Sequence, residues 1–293
     1  MFNVEYREPA TLREAIELLA PASPISVLVA GGTDLLVDLR RGRVRAERVV
    51  SLAGLEELKG IRMLESGATA IGALVTVREV AEFFAPRHDA QALSEAARLL
   101  GSRQIQNAAT IGGNLCKASP GADLAPPLLC LDAVLTLCGP LGTRQVKIDA
   151  FFTGPGRTTR GAAEVLTSIT LPPLRASGSA FLKIMRRRAD DLSIASACAR
   201  VQLSEDGQRI ERCAVALGAV APVPFLSRGA SEVLTGSPIS TESLRKAAVA
   251  ARGEARPITD VRASAEYRLE MVEVLVRRAV QAAAGRAGKG IMA

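Results

Sequence analysis

The sequence predicts an α+β fold in two domains. Three observations carry that expectation. Helix and strand signals alternate through residues 1–58, a hairpin-and-strand texture takes over from Ile61, and a Pro/Gly/Ser-rich stretch at 172–179 (PPLRASGS) precedes three further strands and a run of helices. The expected boundaries are therefore 1–176 (subdomains of about 1–58 and 59–176), 177–285 with a three-stranded antiparallel sheet and helices, and a flexible tail at 286–293.

The elements follow in order. Thr11-Leu12-Arg13-Glu14 is a capping box ahead of Ala15, Ile16, Leu18 and Leu19 at helical spacing, with Pro21 and Pro24 ending that helix. Ser26–Ala30 is a short apolar run closed by Gly31-Gly32, the mark of a buried strand. Thr33 and Asp34 can cap a short helical turn through Leu39, and Arg48–Leu52 is the next strand. Ile61–Leu64 and Thr69–Gly72 flank a Glu65-Ser66-Gly67 turn; Thr76-Val77-Arg78-Glu79 opens a helix to about Phe84, and Asp89–Leu100 makes another, closed by Gly101. After Thr110–Asn114 and the proline-marked Ala118–Pro127, strands are expected at Val134–Cys138, Arg144–Ile148 and Val165–Leu171. Beyond the linker, Phe181–Met185, Ser193–Leu203 and Arg209–Ala219 read as strands. Helices at about 225–234, 240–252 and 263–284 finish the chain before a Gly-rich tail.

Composition narrows the function. Hydrophobic residues at 48% and charged residues at 23% exclude a mainly disordered chain. His88 is the one histidine, which excludes sites that need two imidazoles and leaves one candidate base. The five cysteines, Cys116, Cys130, Cys138, Cys198 and Cys213, form no C-x-x-C pair, so neither a disulfide framework nor a zinc ribbon is supported, and no metal site is expected. No apolar run approaches the roughly 20 residues of a bilayer span, and the N-terminus lacks a basic-then-apolar layout, so a cytoplasmic protein is expected. The net charge of +7 gathers in two arginine clusters, Arg40/Arg41/Arg43/Arg45/Arg48 and Arg186/Arg187/Arg188. With aromatics at 3% there are few base-stacking platforms, so these clusters read as a solvated face or a protein–protein interface and not as nucleic-acid binders.

Two segments can carry chemistry. Leu28-Val29-Ala30-Gly31-Gly32-Thr33-Asp34-Leu35 runs from a strand through two glycines into capping residues, and such a turn exposes successive N–H groups to an anion. Thr110-Ile111-Gly112-Gly113-Asn114 repeats the pattern, and two convergent donor loops suit a diphosphate better than one. A tight turn with its own need for glycine is the alternative at each. Neither is a Rossmann fingerprint or a P-loop, and Gly154-Pro155-Gly156 has the wrong spacing and loses a donor at Pro155.

The segments AGGTDLL (30–36), TIGGNLCKASPGADLAPPLL (110–129), RRRADDLSIASACARV (186–201) and DVRASAEYR (260–268), in this order, resemble the flavoprotein subunits of molybdenum hydroxylases. That is the family of the carbon monoxide dehydrogenase medium subunit and of the xanthine dehydrogenase FAD module. The resemblance implies a vanillyl-alcohol-oxidase-type FAD-binding fold of two α/β subdomains with a smaller C-terminal domain. It implies that Ala30–Leu35 and Thr110–Asn114 hold the FAD diphosphate, with Leu28 and Val29 also among the cofactor-binding residues. Asp123 would lie by the ribityl or adenosine part, Leu166 and Lys183 beside the flavin, and Leu100 near the adenine. It also implies a 2Fe–2S iron–sulfur subunit and a large molybdenum-cofactor subunit as partners in an (αβγ)2 assembly, and NAD, a quinone or oxygen as external acceptor. No side chain of this chain need act as a catalytic acid or base. Plainer roles stand beside these: core packing for Leu100 and Leu166, a surface lysine on an edge strand for Lys183, an interface or loop carboxylate for Asp191 and a small buried residue for Cys116. The rival functions are a self-contained FAD oxidase or reductase of the same fold, and a basic nucleic-acid-binding or scaffold protein. Cys116, Cys130 and Cys138 lack a fourth neighbouring thiol, so a four-thiolate cluster is not expected.

Overall fold

The computed structural model describes residues 4–20, 24–174, 176–187 and 190–291. Pro21 and Arg188, named above, lie outside the described residues. The chain opens with β1 (Glu5–Arg7), α1 (Leu12–Leu19), β2 (Ser26–Val29), α2 (Leu35–Arg40) and β3 (Arg48–Ser51). The three strands form a parallel sheet of order β1-β3-β2. Thr11 caps α1 by accepting from the Glu14 N–H, and the helix lays Ala15, Ile16 and Leu19 against Val50, Leu52, Leu55 and Leu58. β1 was not foreseen: its three residues are half to fully exposed and carry no apolar period, and pairing with β3 makes them a strand.

The next part contains β4 (Ile61–Met63), β5 (Thr69–Gly72), α3 (Val77–Phe83), α4 (Gln91–Leu99), α5 (Arg103–Ala108), α6 (Ile111–Lys117) and α7 (Ala125–Cys130). It continues with β6 (Val134–Gly139), β7 (Gly142–Lys147), β8 (Phe152–Gly154), β9 (Arg157–Thr158) and β10 (Val165–Leu171). Five of the strands make an antiparallel sheet of order β4-β5-β10-β6-β7, and α3, α4, α6 and α7 pack with it in one apolar core. Two expected loops are helical. Thr110–Asn114 is the cap and first turn of α6, and Pro126 and Pro127 stand in the first turn of α7, where a missing N–H costs nothing.

The last part has β11 (Gly178–Ile184), β12 (Ala195–Leu203), β13 (Ile210–Gly218), β14 (Phe225–Leu226), α8 (Arg228–Leu234), α9 (Thr241–Glu254) and α10 (Ala265–Ile291). Its antiparallel sheet has four strands and not the expected three. Phe225 and Leu226 pair with Leu217 and Ala216 instead of opening a helix, and Ser227 caps α8 behind them. The expected Gly-rich tail is helix as far as Ile291. Single glycines weaken a helix, but here Ala283, Ala284 and Ala287 are buried, and Gly178 of β11 comes so close that a Cβ there would stand 2.0 Å from the Ala283 carbonyl oxygen.

The parts are joined by polar contacts, some of them only partly buried. Glu95 of α4 accepts from the Phe181 N–H at 2.9 Å and pairs with Arg286 of α10. The Ala92 N–H donates to the Ser179 hydroxyl at 3.0 Å.

Candidate functional site

The first glycine pair sits where β2 leaves its sheet. Gly31 is pressed on the end of α5: a Cβ there would lie 1.8 Å from the Ala108 carbonyl oxygen and 3.0 Å from the Ala109 Cα. Gly32 follows at φ +71°, the left-handed region that glycine adopts without a Cβ penalty. This contact sets the first loop directly beside the chain that enters Thr110. Among the described residues, the main-chain N–H groups of Gly31, Gly32, Thr33 and Asp34 have no protein acceptor, and Asp34 makes no side-chain cap bond. Four consecutive N–H donors at this turn are thus left unclaimed by the protein.

The second glycine pair behaves differently, and here the expectation is corrected. Ile111 donates to the Val75 carbonyl and Gly112 to the Ala73 carbonyl, both at 2.9 Å, while Gly113 donates to Thr110 Oγ1 at 3.0 Å and Asn114 to the Thr110 carbonyl at 2.9 Å. Those N–H groups are engaged within the protein, because the segment is a capped helix start. Gly112 is glycine for packing, since a Cβ would fall 2.7 Å from the Ala73 oxygen. Gly113 is exposed, and the one atom within 4 Å of its Cβ position is the Thr110 hydroxyl, so it leaves an open approach. Asn114 Oδ1 is buried and finds no donor among the described residues, a polar atom that a hydroxyl-bearing ligand would satisfy. Asp38 of α2 pairs with Lys117 of α6 and lies 3.8 Å from Arg43, which ties the two glycine segments together from behind.

Asp123 and Lys183, sixty residues apart in sequence, meet. Lys183 Nζ donates to Asp123 Oδ2 at 2.7 Å and to the Asp191 carbonyl oxygen at 3.3 Å, and Ser193 Oγ donates to Asp123 Oδ1 at 2.6 Å. The lysine side chain is fully buried, which excludes the surface-lysine reading. Burial pushes the Asp123 carboxyl above its ordinary range, and the charge and hydrogen bond of Lys183 together with Ser193 offset part of that. Asp191 is a loop carboxylate, as its plainer reading had it. It accepts from the N–H groups of Arg186 at 3.1 Å, Arg187 at 3.2 Å and Leu192 at 3.0 Å. Ser193 had no distinguishing signal in the sequence, because Ser196 in the same run is equally a hydroxyl among small apolar residues.

Leu166, on β10 opposite Leu137, is core, and Leu100 is half-buried at the end of α4. The structure connects both to the site only through the shared apolar core. His88 is exposed, with Nδ1 3.3 Å from Gln91 Oε1. Among the described residues no His/Cys/Asp/Glu cluster could hold a metal ion. Cavities of about 320 Å³ between α9 and α10 and about 460 Å³ at the β6–β7 hairpin include none of the candidate residues.

Cys116 lies inside α6 beside the second glycine pair. Burial pushes its thiol up to about 11, with a small opposing effect from the Arg160 charge. A thiol so placed is a poor nucleophile near neutrality. Alkylation of native protein by iodoacetamide, followed by peptide mass spectrometry, is expected to leave Cys116 unmodified at pH 7.5 and to modify it only as the pH approaches 11. Prompt labelling at pH 7.5 would show instead a reactive thiol beside the second glycine pair.

Residues 2–174 match the family model described as the FAD binding domain in molybdopterin dehydrogenase, and residues 180–283 match the CO dehydrogenase flavoprotein C-terminal domain. The chain is 33% identical to the xanthine dehydrogenase FAD-binding subunit of Escherichia coli O157:H7 over 98% of its length and 99% of that protein. It is 32% identical to the carbon monoxide dehydrogenase medium chain of Afipia carboxidovorans, over 97% of this chain and 98% of the other. The solved carbon monoxide dehydrogenase of Hydrogenophaga pseudoflava, in a form lacking the Mo-pyranopterin moiety, superposes with a TM-score of 0.93 at 30% identity, covering 97% of this chain and 98% of that one. Fold and matched domains thus define an oxidoreductase flavoprotein subunit with FAD as its cofactor. The chain belongs to the FAD-binding subunits of the molybdopterin dehydrogenase family. The residues present fit that cofactor: four unclaimed N–H groups at Gly31–Asp34, a bare Gly113 and the buried Asn114 oxygen. No helix among the described residues is long and apolar enough to cross a membrane.

Proposed function

We propose that the chain is the electron-transfer subunit of a molybdenum-dependent hydroxylase, holding FAD in a vanillyl-alcohol-oxidase-type fold. Bound FAD supplies redox chemistry that takes electrons from partner 2Fe–2S clusters and passes them to an external acceptor: NAD, a quinone or oxygen. The N–H groups of Gly31, Gly32, Thr33 and Asp34 hold the diphosphate, with Leu28, Val29, Ala30 and Leu35 setting the strand and helix around them. Thr110, Ile111 and Gly112 position Gly113 and Asn114, and these two alone of that segment face the cofactor. Asp123 and Lys183 supply a buried charge pair beside it, and Leu100 and Leu166 supply apolar wall. The domains we assign are 1–176, divided near residue 58, and 177–285 extended by the rest of α10. A cytoplasmic (αβγ)2 assembly with an iron–sulfur subunit and a molybdenum subunit completes the reading.

The observation that carries it is the run of unclaimed N–H groups at Gly31–Asp34 in a chain of an FAD-binding family. The arginine clusters divide once their partners are known. Arg48 pairs with Glu5 at 2.7 Å, Arg186 lies 3.6 Å from Asp191 and Arg187 Nη2 donates to the Asp190 carbonyl oxygen at 3.3 Å, whereas Arg40, Arg41 and Arg45 are exposed and unpaired among the described residues. Exposed Leu36 and Val37 lie beside them on α2. We therefore place the partner contact at Arg40, Arg41 and Arg45 and not at Arg186 and Arg187. Co-expression with the genes of candidate partner subunits, followed by native mass spectrometry and chromatography of the released flavin, tests both statements. FAD and a heteromeric mass are expected, and Glu at Arg40, Arg41 and Arg45 is expected to dissociate the complex with FAD still bound. FMN alone, or no flavin after reconstitution, would overturn the cofactor reading, and an intact complex in the triple variant would overturn the contact surface.

A further inference from the structure

Arg268 lies near the start of α10 and is 3% exposed, a place where a guanidinium is costly unless its N–H groups are answered. Its fork reaches three segments. Nη2 donates to Asp260 Oδ1 at 2.7 Å, and Nη1 donates to the main-chain oxygen of Ile194 and, at 3.2 Å, to that of Ala219. Asp260 is itself fixed by the N–H groups of Arg262 at 2.8 Å and Ala263 at 3.3 Å. The two terminal nitrogens are thus anchored on Asp260 on one side and grip two carbonyls on the other, while Nε, also buried, meets no acceptor among the described residues.

Both carbonyls belong to chain that closes on the Asp123–Lys183 pair. Ser193, next to Ile194, holds Asp123 Oδ1 at 2.6 Å. Ala219 donates its N–H to the Pro120 oxygen at 2.8 Å, in the turn that leads to Asp123. Ala219 has φ +62°, a strained value for a residue with a Cβ, so contacts at both its N–H and its oxygen must hold it there. Gly218 before it has no slack: a Cβ would fall 2.5 Å from Ser196 Oγ and 3.0 Å from the Pro126 ring. A planar fork can serve Asp260 and two carbonyls together, whereas the point-like ammonium of a lysine cannot span them.

We propose that Arg268 is a positioning residue of the cofactor site. It does so by fixing Ile194 and Ala219, which set where Asp123 and Lys183 stand against bound FAD. The inference rests on the reading of Asp123 and Lys183 as cofactor-site residues. Three full-length variants test it: R268M, R268K and V276A. Val276 is fully buried in the apolar core on the same helix, so its truncation lowers stability by packing alone. R268M is expected to retain at least tenfold less FAD and to alter the visible circular dichroism of the flavin that stays bound. R268K is expected to lie between R268M and wild type. V276A is expected to melt earlier with wild-type retention and spectrum. Where R268M does not fold, R268K against V276A decides. Retention within twofold of wild type and an unchanged spectrum in the arginine variants, or equal losses in V276A, would overturn the inference. A wild-type chain that takes up no FAD would instead overturn the cofactor reading, and this inference with it.

Discussion

A Gly31→Ala variant is expected to melt far below wild type and to lose FAD. The new Cβ would stand 1.8 Å from a backbone oxygen at Ala108, an atom that no rotamer change can move aside. Relief requires the first sheet to draw back from the end of α5, the same contact that sets the N–H groups of Gly31–Asp34 beside α6. A cost of about 3 kcal/mol is expected, the upper range for overpacking. Thermal melting and fluorescence titration with FAD measure the two effects, and flavin affinity is expected to fall more than tenfold. Gly113→Val gives the contrasting result, with FAD lost and a much smaller fall in the melt, because its Cβ position meets one side-chain atom, the Thr110 hydroxyl that caps α6, at 2.9 Å and no backbone. Equal behaviour of the two variants would mean that neither glycine faces a ligand as assigned.

The second large effect is expected from Lys183→Met. It strips the cation that pairs with a carboxylate that is almost fully buried, and breaking such a pair costs about 3–5 kcal/mol. The sign of the pH dependence follows from Asp123, whose pKa burial already raises. For a carboxyl whose folded pKa exceeds the unfolded one, the protonated state favours folding. The variant's deficit is therefore small below the unfolded value and grows as pH rises through the folded value. Melting temperatures of wild type and variant should converge as the pH falls from 8 toward 4. Lys183→Met combined with Asp123→Asn should recover most of the loss at pH 8, because no lone charge remains. A deficit that ignores pH would show that the carboxylate is not what suffers.

What the sequence made legible was local. The capping residues Thr11 and Thr76 stand where their helices start, and the buried runs at Val165–Leu171 and Ser193–Leu203 became strands of the two larger sheets. β1 and β14 were not legible because three and two residues carry no period; their partners make them strands. The site shows the same divide. Two Gly-Gly pairs look alike as text, yet Gly31 and Gly32 leave their N–H groups open while Ile111 and Gly112 give theirs to Val75 and Ala73. Only the fold brings those two carbonyls across. Likewise Asp123 and Lys183 were singled out separately, and that each is the other's partner depends on how the linker folds β11 back onto the first part of the chain.

The joint between the parts has an order in time built into it. Glu95 lies in α4, but the arginine that answers it, Arg286, is synthesised 191 residues later, and the same arginine holds the Ser179 oxygen. An elongating chain can therefore complete both glycine segments while the joint that backs them still lacks its last partner. Until residue 286 has left the ribosome, Asp123 can meet Lys183 only against an open seam. The seam between the parts is in that sense the last joint to be made, after the strands and helices on either side of it already exist.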